Sequence, residues 1–124
     1  MVESLFVEGS PGGRVDPVAG VDRRDGNVVV RLAGELDLYN AHQVRETLVA
    51  CSDENPQRLV VDLGEVQFID STALGVLVEA RSRMTDKQAF VLAAPGAEAR
   101  RALEVSGLDR HFNLSATVEE ALAS

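Results

Sequence analysis

The segment Phe68-Ile69-Asp70-Ser71-Thr72 sets an acidic residue directly before two adjacent hydroxyls, where an apolar run gives way to helical spacing. A hydroxyl at a helix start can accept a phosphate, because the unpaired N–H groups and the positive end of the macrodipole favour an added anion there. As a hydrolytic nucleophile the same serine is poorly equipped: it lacks the Gly-x-Ser-x-Gly turn, and no histidine stands beside it in sequence. His42 and His111 are far apart and have no cysteine or carboxylate companions at metal-ligand spacing, so both are expected on the surface. Glu35 with Asp37, and Asp62 with Glu65, resemble acid–base pairs, but in a chain with 20 acidic residues such spacings arise by chance. GSPGG, near the start, lacks the lysine and the following helix of a nucleotide loop. Asn113-Leu114-Ser115 fits a glycosylation sequon, which has no consequence without a secretory signal. No enzymatic activity, cofactor or metal is expected.

Laid out at about 100° per residue from Ser71, the helix that follows puts Ala73, Val76, Leu77, Ala80 and Met84 on one stripe. Ser71, Gly75, Val78 and Ser82 fall opposite, flanked by Leu74. The first stripe is the core face. The second is small and weakly polar, which lets a partner approach closely at little desolvation cost. Two readings of it stand: a docking face, or an ordinary solvated surface on which Asp70 or Ser71 merely caps the helix.

The elements that must hold this segment follow from periodicity and punctuation. Residues 1–14, ending in GSPGGR, are expected to form a mobile arm, in which Leu5, Phe6 and Val7 remain able to dock. Val15–Arg23 predicts a first strand and Asn27–Ala33 a second, joined by a tight hairpin at Asp25-Gly26. In the second strand Val28, Val30 and Leu32 alternate with Asn27, Val29 and Arg31, so one face should meet the core and the other be less deeply covered. Asn40 with Gln43 forms a capping-box pattern before a first helix ending near Asp53, and Cys51 should fill the core on it. Pro56 bars continuation, and Leu59–Leu63 suits a central strand. The Ser71 helix should run to about Thr85, followed by a strand at Ala89–Ala93 and a third helix from Pro95-Gly96 to about Val105, closed by Gly107. Thr117 with Glu120 predicts a last short helix whose Val118, Ala121 and Leu122 pack back on the domain. The fold class is α/β, a mixed four-stranded sheet with an opening hairpin and about four helices packed mainly on one side.

With 124 residues and 45% hydrophobic content, the chain suffices for one core and is too short for two. A formal net charge of −8 argues against nucleic acid and against an anionic membrane surface, because both require basic patches. No apolar run approaches the ~20 residues of a membrane span, and MVESLFVEGS lacks the features of a signal peptide, so a cytoplasmic location is expected. The lone Cys51 can form neither an internal disulfide nor a metal site.

FIDSTALGVL, Phe68 to Leu77, closely resembles the phosphorylation segment of anti-sigma factor antagonists, small bacterial proteins built on the STAS domain. Their motif is an aspartate, a serine, another hydroxyl residue, then glycine, leucine and glycine. RLAGELDLYNA, Arg31 to Ala41, is similar to the family's strand and loop before its first helix, and VSGLDRHF, Val105 to Phe112, to the segment after its third. The resemblance covers about Val15 to Ser124, implying a single STAS-like domain over 15–124. Ala73 stands where the family usually has glycine; alanine favours helix by about 1 kcal/mol, so the change should be tolerated, with any consequence falling on partner fit.

The resemblance also implies a mechanism. In the family, the unphosphorylated protein binds an anti-sigma factor that is also a serine kinase of histidine-kinase-like ATPase fold, which frees a sigma factor. The kinase phosphorylates the serine with ATP, and a serine phosphatase reverses the modification. Carried over, Ser71 is the phosphoacceptor, Thr72 the competing hydroxyl, and Asp70 orients the loop or caps the helix. Asp37 and Asn40 lie in the partner-facing loop, and Leu74, Gly75 and Val78 complete the binding patch. A weak homodimer is compatible with this picture. The alternative is an accessory subunit of a transport or lipid-trafficking ATPase assembly, in which the serine need not be a phosphoswitch.

Overall fold

Asp25 and Gly26 both hold positive φ, 53° and 85°, as a two-residue hairpin loop matched to the strand twist requires. The loop folds β1 (Val18–Arg24) antiparallel onto β2 (Asn27–Leu36), with Arg24 opposite Asn27. From β2 onward each strand is parallel to the one before it and reached through a helix. α1 (Ala41–Asp53) leads to β3 (Leu59–Ile69), α2 (Ser71–Ser82) to β4 (Phe90–Ala93), and α3 (Ala97–Ser106) to β5 (Asn113–Ser115). α4 (Val118–Ala123) is the last of the described elements, and the sheet order is β1-β2-β3-β4-β5. This computed structural model describes residues 15–123; the expected N-terminal arm lies outside the described residues.

The alternation of the strands divides the apolar residues between two cores. Val28, Val30 and Leu32 of β2 pack with Leu59, Val61 and Leu63 of β3 beneath the buried faces of α1, α2 and α3. Val29, Val60, Val91 and Ala93 point the other way and meet Ala121 of α4, with Val118 and Leu122 beside it. The second face of β2 is therefore better covered than its alternation implies, with Val29 only 2% exposed. Three helices lie on one side and α4 alone on the other.

The sheet has five strands, not the expected four. Asn113–Ser115 adds to the edge of β4, where Leu114 pairs with Leu92. A three-residue strand with one apolar position has no periodicity to betray it. β1 begins at Val18 rather than Val15, and α2 ends at Ser82 rather than Thr85. β2 and β3 both run further than expected, to Leu36 and Ile69, past two irregularities in their shared register. Gly34, with φ at 77°, sits at the second of these, where a Cβ would collide with the Val15 side chain. The longer strands carry the chain to the C-terminal edge of the sheet, where Asp37 and Asp70 emerge side by side.

Candidate functional site

Asp70 joins two connections at that edge. Its own N–H donates to the Leu36 carbonyl at 3.0 Å, which closes the end of the β2–β3 pairing. The backbone there is extended, with φ −99° and ψ 179°, and the Asp70 carbonyl accepts the first intrahelical bond of α2 from Leu74 N–H at 2.9 Å. The side chain serves both connections. Oδ1 accepts from Ala73 N–H at 2.9 Å and caps α2, while Oδ2 accepts from Leu38 N–H at 3.1 Å in the loop after β2.

That loop is stapled internally. Asp37 Oδ1 accepts from Tyr39 N–H at 3.0 Å, and the Asp37 carbonyl accepts from Ala41 N–H at 2.9 Å. Asn40 turns inward: its Oδ1 accepts from Asp37 N–H at 3.0 Å, and its Nδ2 donates to the Glu35 carbonyl at 2.8 Å. Held by these bonds, the turn leaves two large apolar side chains outside, Leu38 at 67% and Tyr39 at 79% exposure. Phe68, opposite Glu35 in the register, is 47% exposed.

Of the residues singled out from sequence, Ser71, Thr72 and Gly75 lie on the surface, and a Cβ on Gly75 would meet nothing within 4 Å. Asp37, Asp70 and Val78 are half-buried. Asn40 and Leu74 are inside, at 8% and 6% exposure. Neither offers contact area to a partner; Asn40 holds the loop from beneath rather than capping α1 with its side chain, and Leu74 belongs to the main core. The methyl of Ala73 is likewise in the core at 1% exposure, so the place where it could have altered partner fit is turned away from the surface. Sequence reasoning missed Leu38, Tyr39 and Phe68. The available signal was two large apolar residues between Asp37 and Asn40, both loop-forming types.

α1 and α2 are braced against each other by exposed ion pairs. Arg45 forks onto Glu79 at 2.8 and 2.6 Å, and Arg83 onto Asp53 at 2.8 Å for both contacts. Hydrogen bonding to these guanidinium groups holds Asp53 and Glu79 below the ordinary carboxylate range. The segments 35–40 and 67–75 contain no lysine or arginine, while Glu35, Asp37 and Asp70 lie within them. Both histidines are exposed, with His111 beside Arg81 at 3.5 Å and edge-on to Phe112. Among the described residues no cluster of His, Cys, Asp or Glu could hold a metal ion, and no helix is long and apolar enough to cross a membrane.

With the geometry of this edge in place, the family model for the STAS domain matches residues 19–121. The chain belongs to the STAS domain family. This STAS domain is 33% identical over 98 residues to the anti-sigma-F factor antagonist RsfB of Mycobacterium tuberculosis, covering 79% of this chain and 80% of that protein. It is 33% identical over 101 residues to the anti-sigma-B factor antagonist of Bacillus subtilis, covering 80% and 91% respectively. Among solved structures, an anti-sigma factor antagonist from Mycobacterium paratuberculosis superposes with a TM-score of 0.80 at 30% identity, over 94% of this chain and 97% of that one.

Proposed function

We propose that this STAS domain is an anti-sigma factor antagonist, a binding protein switched by phosphorylation of Ser71. Unphosphorylated, it sequesters an anti-sigma factor that is also a serine kinase, and so frees a sigma factor. The observation that carries the reading is Ser71 itself, exposed at the first position of α2 beside the outward-facing Leu38 and Tyr39. The relatives named as antagonists favour it over an accessory subunit of a transport assembly. The docking surface comprises Asp37, Leu38, Tyr39, Asp70, Ser71, Thr72, Gly75 and Val78, with Asn40 and Leu74 supporting it from below.

In the modification, the Ser71 hydroxyl oxygen takes the γ-phosphoryl group of ATP, its proton passes to a base on the kinase, and ADP leaves. The product adds about −1.5 to −2 charge at neutral pH to a chain already at −8. Binding then fails through bulk, repulsion and the cost of burying an anion. Refolding is not required, because the first N–H groups of α2 precede its intrahelical bonds and accommodate a negative group. A serine phosphatase resets the switch.

The test is incubation with ATP and candidate anti-sigma kinases, followed by mass spectrometry of the peptide around Ser71. Ser71→Ala is expected to keep partner binding and lose the modification, and Ser71→Asp to weaken binding. Phosphate appearing on Ser71→Ala, together with full affinity in Ser71→Asp, would refute the assignment.

A further inference from the structure

The carboxylate next to the phosphoacceptor invites a catalytic role, yet its contacts describe a different task. Oδ1 and Oδ2 each already accept a backbone N–H, one from α2 and one from the loop after β2. Ser71 Oγ makes no hydrogen bond to Asp70 or to any other described residue. The Leu38 N–H comes from a segment 32 residues before Asp70 in sequence, and the Ala73 N–H from the helix that Asp70 caps, so one carboxylate joins the two segments.

We infer that Asp70 is a positioning residue: its carboxylate fastens the Leu38–Tyr39 turn to the start of α2, so that the apolar side chains and Ser71 are presented to a partner as one preformed surface. The inference rests on the proposed partner-binding function but makes a separate claim about how the surface is built. A preformed surface loses less freedom on association, so Asp70 acts on affinity rather than on phosphoryl transfer. Asparagine cannot replace it: the amide has one acceptor oxygen, and its NH2 group would face the second N–H donor to donor.

The experiment has an arm on the isolated protein and an arm with a kinase. In wild type, the Leu38 amide should exchange with solvent at least about tenfold more slowly than the Thr72 amide after correction for intrinsic rates, and Asp70→Asn should abolish the difference at one or both of Leu38 and Ala73. With an anti-sigma kinase that phosphorylates the wild-type chain, Asp70→Asn should raise KM for the chain about tenfold and leave kcat within about threefold. A Leu38 amide that exchanges as fast as Thr72 in wild type overturns the clamp, whatever the variant does. A fall in kcat of about a hundredfold at unchanged KM overturns it in favour of a catalytic base. Should no anti-sigma kinase modify the wild-type chain, the function proposed above fails while the exchange measurement still decides the clamp.

Discussion

Tyr39→Ala tests whether the outward apolar turn is an anchor for a partner. The residue is 79% exposed, so of the roughly 200 Å² an aromatic side chain offers, about 160 Å² is open to be covered. At about 25 cal/mol per Å² complete coverage is worth about 4 kcal/mol, and the ordering of the interface and the area retained by alanine bring the expected loss to about 2 kcal/mol. That corresponds to a Kd raised roughly 30-fold. The folded state should hardly notice, because the turn is held by the Tyr39 backbone N–H on Asp37 Oδ1 and not by the ring. Thermal unfolding is therefore expected within about 0.5 kcal/mol of wild type. Isothermal titration of the unphosphorylated variant into its anti-sigma factor provides the measurement, with Leu38→Ala as a parallel. Affinities within twofold of wild type for both variants would show that the partner does not cover this turn, and the docking surface would have to be redrawn around α2 alone.

Two further outcomes concern the scaffold. Cys51 is 3% exposed, and burial, with the nearby Glu54, raises its thiol pKa, so a thiol reagent should label it only as fast as the protein opens; rapid labelling in native buffer would contradict its place in the core. Asp53 and Glu79 have folded-state pKa values lowered by Arg83 and Arg45, so their stabilisation is complete above the unfolded carboxylate values of about 4 and is lost as pH falls through the lower folded values. Thermal melts across that acid range should show a decline that Arg45→Ala combined with Arg83→Ala makes shallower, and an unchanged slope would mean the pairs form no differently in the unfolded chain.

Much of the scaffold was legible because local chemistry and tertiary role agree. The core stripe Ala73, Val76, Leu77, Ala80 and Met84 is buried throughout, and Asp25-Gly26 forms the hairpin its residue types demand. Thr117 Oγ1 accepts from Glu120 N–H at 3.0 Å, as the capping pattern before α4 implies. Failures cluster where a tertiary partner decides. Asn40 has the residue type of a helix cap, but Asp37 N–H and the Glu35 carbonyl claim its side chain. The register irregularities between β2 and β3 break strict alternation, so Val66 and Ile69 turn inward while Phe68 stays out, and no two-residue period announces which is which. Leu38 and Tyr39 read as ordinary apolar residues until the hydrogen bonds around Asp37 and Asp70 hold them outside. The apolar residues of the proposed docking surface were thus the hardest to find, since the mark that sets Leu38 and Tyr39 apart from core is only their place between the loop-forming Asp37 and Asn40.

The charge around Ser71 constrains how a phosphate there can act. A phosphate that is to reorganise its own protein needs a cation nearby, usually arginine, to draw a segment into new contacts. The two segments that frame this serine supply none, and they contribute Glu35, Asp37 and Asp70 instead. The helix start can solvate the anion but cannot neutralise it, because the macrodipole amounts to only about half a unit charge. In the proposed switch, a phosphate on Ser71 would add charge beside the exposed Leu38 and Tyr39, where an apolar partner surface would have to desolvate it. On this argument the message of the switch is carried outward, in what the partner can no longer approach, and the domain itself keeps one conformation in both states. Backbone chemical shifts of the phosphorylated and unphosphorylated forms should then differ only around residues 37–40 and 69–75, and changes spreading through β3 or α3 would defeat the argument.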